Sequence, residues 1–244
     1  MELPASTQYF ADRKDKLLKD LRVLFDSAGK ILPEYVEASK VSDILEETRQ
    51  GFGHLLPDLP NLGGERNLFN SSIIASVAAL AYIRVLESRG VSSASIHQSL
   101  YGIYLDAYSS LPRFLKVGLR WFEFSAMHLR QLKAFARWTQ ERAHPENYVL
   151  EFVAGDGLNF DFGFDVTECA VVKFYRRMQA EEHLPYICIG DFAVSSALRT
   201  GLQRTTTISN GGVLCDFRYG RNRDALSGLP IEELPEYQNR KAAG

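Results

Sequence analysis

The sequence predicts an α+β protein, in which a helical N-terminal part packs with a C-terminal four-stranded antiparallel sheet that carries two helices. Three observations predict it. Apolar residues recur at three- and four-residue spacing through much of residues 8–142. The period falls to two at Phe160, Phe162 and Phe164, which alternate with Asp161 and Gly163. Between these stretches stand turn formers, notably Gly155-Asp156-Gly157 and Asn210-Gly211-Gly212.

In chain order, Phe10, Leu17, Leu21, Leu24 and Phe25 predict an amphipathic helix over 8–27 that Gly29 ends, and a polar helix follows over 33–49. Residues 51–65 are punctuated by Pro57, Pro60 and Gly63-Gly64 and predict a loop. Asn70 or Ser71 caps an Ala-rich helix ending near Gly90, and Ser92 or Ser93 starts the next, which reaches Tyr108. Pro112 opens a longer helical stretch to Arg142, with Trp121, Phe124, Leu132, Phe135 and Trp138 as its packing residues. Tyr148–Val153 and the phenylalanine alternation form a first hairpin. Asp165 with Glu168 resembles a capping box for a helix to Ala180. Pro185 starts another to Arg199, and Arg204–Ile208 with Val213–Tyr219 completes the sheet. The expected organisation is an all-α part over 1–145, a site-bearing α+β part over 146–220, and a loose polar tail over 221–244.

Composition bounds the function. A formal charge of −2 gives no reason to expect nucleic acid as partner. Met1-Glu2-Leu3-Pro4 lacks a signal pattern, and the longest apolar run, Ile73–Ile83, suits a buried helix. The expectation is a cytoplasmic protein with no membrane partner, and self-association into a homo-oligomer stays open. Three widely spaced cysteines make no disulfide framework. Cys169 and Cys188 fall near predicted helix starts, where the helix dipole favours a thiolate, and Cys188 shares a helix face with Asp191. Strand alternation sets Val213, Cys215 and Phe217 on one face and Leu214, Asp216 and Arg218 on the other. Asp216 and Arg218 also read as a cross-strand ion-pair set with Arg204. No cofactor is predicted. A metal or iron–sulfur site on Cys169, Cys188 and Cys215 stands as the alternative, although their spacing lacks a Cys-x-x-Cys knuckle.

Taken together, Thr167-Glu168-Cys169, Pro185-Tyr186-Ile187-Cys188-Ile189-Gly190-Asp191, Arg204-Thr205-Thr206-Thr207-Ile208, Asn210-Gly211-Gly212 and Cys215-Asp216-Phe217-Arg218 resemble the L-2-amino-thiazoline-4-carboxylic acid hydrolase family. Gly63-Gly64-Glu65-Arg66-Asn67-Leu68-Phe69 resembles that family's N-terminal signature. The resemblance implies a hydrolase that opens a cyclic isothiourea bearing a carboxylate. Arg204 or Arg218 would clamp that carboxylate. Asp191 or Asp216 would meet the amidine nitrogens or activate water. Cys188 is the favoured nucleophile and Cys215 its competitor. Asn67 and Thr206 join the substrate-binding set. Two other classes compete: a non-catalytic small-ligand-binding domain whose cavity is lined by Phe160, Phe162, Phe164, Phe174, Phe192 and Phe217, and a cysteine-ligated metal or redox protein.

Overall fold

The structure is a computed structural model that describes residues 9–226, 228 and 230–238. The chain divides into two compact units, 1–107 and 108–244. The helices after Pro112, read from sequence as part of an N-terminal helical half, therefore belong with the sheet.

Unit 1 is helical: α1 (Lys14–Asp20), α2 (Arg22–Ile31), α3 (Val41–Leu55), α4 (Asn70–Ser88) and most of α5 (Ser93–Ser109). The first expected helix breaks at Leu21 and then runs through Gly29. Leu32-Pro33-Glu34 and Ala38–Lys40 form single 3₁₀ turns, which delays the second helix to Val41. On α3 the buried residues Ile44, Thr48, Phe52 and Leu55 make one stripe. Where α3 meets α4, a Cβ on Gly51 would lie 3.4 Å from the Cβ of Ala81, so small residues let the helices approach closely. α4 is long and apolar enough to cross a bilayer by length and composition, but more than half of it is buried within the protein. It therefore reads as a core helix.

Unit 2 carries α6 (Arg113–Glu123), α7 (Ala126–Thr139), β1 (Val149–Ala154), β2 (Phe162–Glu168), α8 (Ala170–Arg177), α9 (Leu184–Cys188), α10 (Gly190–Leu198) and β3 (Cys215–Tyr219). The sheet is antiparallel in the order β1-β2-β3, three strands rather than four. Cross-strand pairs Phe162↔Tyr219, Phe164↔Phe217 and Val166↔Cys215 align one face, and the rings of Phe164 and Phe217 stack at 4.8 Å. α7 anchors to β1 through Thr139, whose hydroxyl accepts the Leu150 N–H at 3.2 Å, and through Gln140, which donates to the Leu150 carbonyl at 2.9 Å.

The expected fourth strand, Arg204–Ile208, does not form. An isolated bridge, Gln203↔Arg218, precedes this segment, and within it the Asp216 N–H reaches the Thr206 carbonyl at 3.4 Å without a ladder forming. The reason is local. Asp216 Oδ1 accepts the N–H groups of Thr205 and Thr206 at 2.7 and 2.8 Å, so a side chain replaces the ladder. The capping box is also absent. Asp165 and Glu168 lie in β2, Cys169 is the N-cap of α8, and Glu168 pairs with Arg142 and Lys173 instead. The helix expected from Pro185 to Arg199 is two helices joined at Ile189, and Arg199 ends the second with φ 57°. Among the proposed packing residues of 112–142, Trp121 is corrected: it is 68% exposed. The segment after Gly220, expected as a loose tail, places Ile231, Leu234 and Glu236 in buried positions. Residues 239–244 lie outside the described residues.

Candidate active site

Arg204 is the centre of the arrangement. It is 1% exposed, and the side chain of Glu236 is fully buried against it. Arg204 Nε donates to Glu236 Oε2 at 2.5 Å and Nη2 donates to Oε1 at 3.1 Å, the two-pronged geometry a guanidinium makes with a carboxylate. Nη1 donates to Asp191 Oδ2 at 2.9 Å and Nη2 to the Cys188 carbonyl at 3.0 Å. The rings of Phe192 and Phe217 cover the guanidinium from centroids 5.0 and 4.9 Å away. Arg204 thus has most of its donors committed. It positions Asp191 rather than offering a free fork to a substrate carboxylate, which corrects its expected role as clamp.

Asp191 opens α10, and 43% of its side chain stays exposed. The protein packed around it raises its pKa above the ordinary carboxylate value, an effect that Arg204 offsets in part and Glu236 reinforces. The site therefore pairs one cation with two carboxylates, leaving a net negative charge when both are ionised.

The three thiols gather beside this group, close enough to influence one another electrostatically. Cys215 Sγ accepts the Ile208 N–H at 3.2 Å and lies 3.3 Å from Thr207 Oγ1. Thr207 in turn meets Ser209 Oγ at 3.1 Å, and Ser209 hydrogen-bonds Cys188. Cys169, at the start of α8, interacts with the N–H groups of Val172 and Val171. These donors do not produce thiolates. Burial pushes Cys169 up to about 12, and it raises Cys188 and Cys215 as well. The helix-start argument for a reactive thiolate is outweighed by loss of water around the sulfur.

Two further groups complete the site, and sequence reading missed both. Burial raises Tyr219 well above its ordinary value, with Asp191 and Glu123 adding to the effect, so one phenol feels both carboxylates. Burial alone pushes Glu123, the last residue of α6, up to about 7. Ser209 and Glu236 were also missed. Glu236 is 32 residues from its arginine, inside a polar stretch with no periodic signal.

The remaining expected residues go elsewhere. Asp216 holds the Thr205-Thr206 turn, and its Oδ2 accepts from Thr205 Oγ1 at 2.6 Å. Arg218 Nη1 pairs with Asp165 at 2.7 Å beside the Phe160 ring, on the strand face opposite Cys215. The predicted ion-pair set of Asp216 and Arg218 with Arg204 is therefore replaced by three separate partnerships. Thr206 gives its N–H to Asp216 and sets its hydroxyl against Gly212, where any Cβ would lie 2.1 Å from it. Asn67 belongs to unit 1. It is 3% exposed, donates to the Leu62 carbonyl at 3.1 Å and accepts the Phe69 N–H at 2.8 Å, which makes it a loop-former. Among the described residues no group of three or more His, Cys, Asp or Glu is arranged to hold a metal ion. An apolar groove does exist in unit 1, lined by Phe25, Ala78, Tyr82 and Leu100 among others. None of the six phenylalanines expected to line a ligand cavity takes part in it.

Cys169, Cys188, Asp191, Arg204, Cys215 and Tyr219 fall within one stretch of chain that is recognisable by comparison. Residues 123–219 match the model of the L-2-amino-thiazoline-4-carboxylic acid hydrolase family. No curated protein and no solved structure matches the chain. The hydrolase family's matched stretch begins at Glu123 and stops short of Glu236, so the Arg204 counter-ion lies outside it.

Proposed function

We propose that the protein is a hydrolase that opens a small carboxylate-bearing cyclic isothiourea of the 2-amino-thiazoline-4-carboxylate type. The observation that carries this reading is the half-exposed Asp191 carboxylate, fixed by a buried arginine beside neutral thiols, with Glu123, a second carboxyl group of raised pKa, acting on the same Tyr219. The family match over 123–219 supports the reaction class. A carboxylate so placed can hold the amidine-like nitrogens of the ring and accept a proton from water.

Water adds to the carbon between sulfur and nitrogen as its proton passes to Asp191. The resulting tetrahedral carbon expels the ring sulfur with the electrons of the C–S bond. The hydroxyl proton passes to the ring nitrogen as the carbon becomes the carbonyl of an N-carbamoyl amino acid, a proton delivered to the sulfur gives a thiol, and the proton held by Asp191 returns through solvent to the donor. Glu123, with its pKa near neutrality, is suited to supply the proton. With all three thiols held protonated, Cys188 and Cys215 serve as uncharged walls in this mechanism, not as attacking thiolates.

Turnover of 2-amino-thiazoline-4-carboxylate by the purified chain and by Asp191→Asn tests the proposal. The variant should keep its fold by circular dichroism and lose kcat by about 10²–10⁴-fold, the usual range for removing a general base. Unchanged kcat in Asp191→Asn, or an inert wild-type protein, overturns it.

A further inference from the structure

α6 is an amphipathic helix turned the wrong way round. Its polar residues Lys116, Arg120 and Glu123 are the ones partly sheltered, and Lys116 Nζ donates to the Ser109 carbonyl at 2.9 Å. Its apolar residues face outward: Phe114 is 73% exposed, Trp121 68%, and Leu115, Val117, Leu119 and Phe122 lie between 37% and 46%. No apolar residue of α6 is buried. Six large apolar side chains exposed together on one helix are more than scattered exposed residues explain and mark a surface meant to be covered.

The order of residues says what covers it. Read outward from Gly118 in both directions, Val117 is matched by Leu119, Lys116 by Arg120, Leu115 by Trp121, Phe114 by Phe122, and Arg113 by Glu123. Two such helices running antiparallel about a two-fold axis at Gly118 meet with apolar residues opposite apolar ones. This is the residue-i-to-j, j-to-i relation that an isologous contact requires. A Cβ added at Gly118 would meet nothing within 4 Å in the single chain, so the centre of the face is open for close helix approach. Standard interfaces bury ~800 Å² per partner around such an apolar centre. We infer that the protein forms a homodimer through α6, with a second copy of the chain packed antiparallel across Gly118.

Sedimentation equilibrium of the full chain and of Gly118→Arg tests the inference. Wild type should sediment at twice the chain mass and Gly118→Arg at the chain mass, with unchanged circular dichroism, because the new side chain has free space in the monomer. Phe114→Arg, at the most exposed position of the face, is the second variant and should behave alike. A monomeric wild type overturns the inference, as does a dimer that both variants leave intact. A wild type that stays monomeric but co-sediments with phosphatidylserine vesicles through the same residues also overturns it, by showing that a bilayer covers the face.

Discussion

Arg204 Nη1 lies 2.9 Å from Asp191 Oδ2 while the same guanidinium is closed between the rings of Phe192 and Phe217. A charge held this way cannot swing toward solvent. The carboxylate it holds is therefore fixed in direction, with its remaining oxygen left to act on whatever enters beside it.

The counter-ion that allows Arg204 to be buried is Glu236. Glu236→Gln leaves the guanidinium with only the half-exposed Asp191, and removing one partner of a buried pair costs about 3–5 kcal/mol. Urea unfolding should show a lower midpoint with an unchanged slope. A loss below about 1 kcal/mol would mean that Arg204 does not depend on this partner.

The thiols are predicted to be slow. Cys169, at about 12, and Cys188 and Cys215, also raised, should react with iodoacetamide at neutral pH far more slowly in the folded protein than after unfolding. Cys188→Ser and Cys215→Ser, assayed separately, should each retain turnover within about tenfold. A loss of 10³-fold or more in either restores covalent catalysis by that thiol.

Glu123 should impose a pH dependence on stability. Its folded pKa of about 7 lies above the ordinary 4.5, so the folded state holds the proton more tightly than the unfolded one. The stabilisation is fully present below about 4.5 and is lost as pH rises through about 7. Thermal midpoints of wild type and Glu123→Gln should diverge between those values, with the variant flatter. Parallel curves would place the titration elsewhere.

Asn210 is 2% exposed, and neither its amide nitrogen nor its amide oxygen has a hydrogen-bond partner among the described residues. Asn210→Leu should therefore be neutral or stabilising, by up to about 1 kcal/mol, since it removes two unmet polar atoms from the interior. A clear destabilisation in urea would show that the amide is satisfied in solution.

Much of this architecture was legible because it is written locally. Ser92, just before α5, accepts the Ser95 N–H on its hydroxyl as its capping chemistry suggests, whereas α4 has Phe69 at its N-cap position with no side-chain cap and Asn70 as its first residue. The alternation of Phe162 and Phe164 with Gly163 gave β2, and that of Cys215 and Phe217 gave the faces of β3. What failed depended on distant partners. Arg204-Thr205-Thr206-Thr207 has the β-branched composition of a strand, yet a carboxylate 11 residues on takes the N–H of Thr205, and a glutamate 32 residues on draws in Arg204. Glu123 looks like any charge ending a surface helix until folding sets it near Tyr219. The pattern of α6 announces an amphipathic helix, but periodicity cannot say which side is turned inward. Cys169, Cys188 and Cys215 can be singled out in the sequence, whereas their protonation state depends on a dryness that spacing does not encode.

That Glu236 stands beyond the recognised stretch bears on ancestry. Among chains that match over the same stretch, variation can be sorted by asking which supply an acid from their C-terminal segment to neutralise the interior arginine. Chains lacking one would have to recruit an anion from another part of the backbone, or give up the arginine altogether, and with it the fixed aspartate that the chemistry would use.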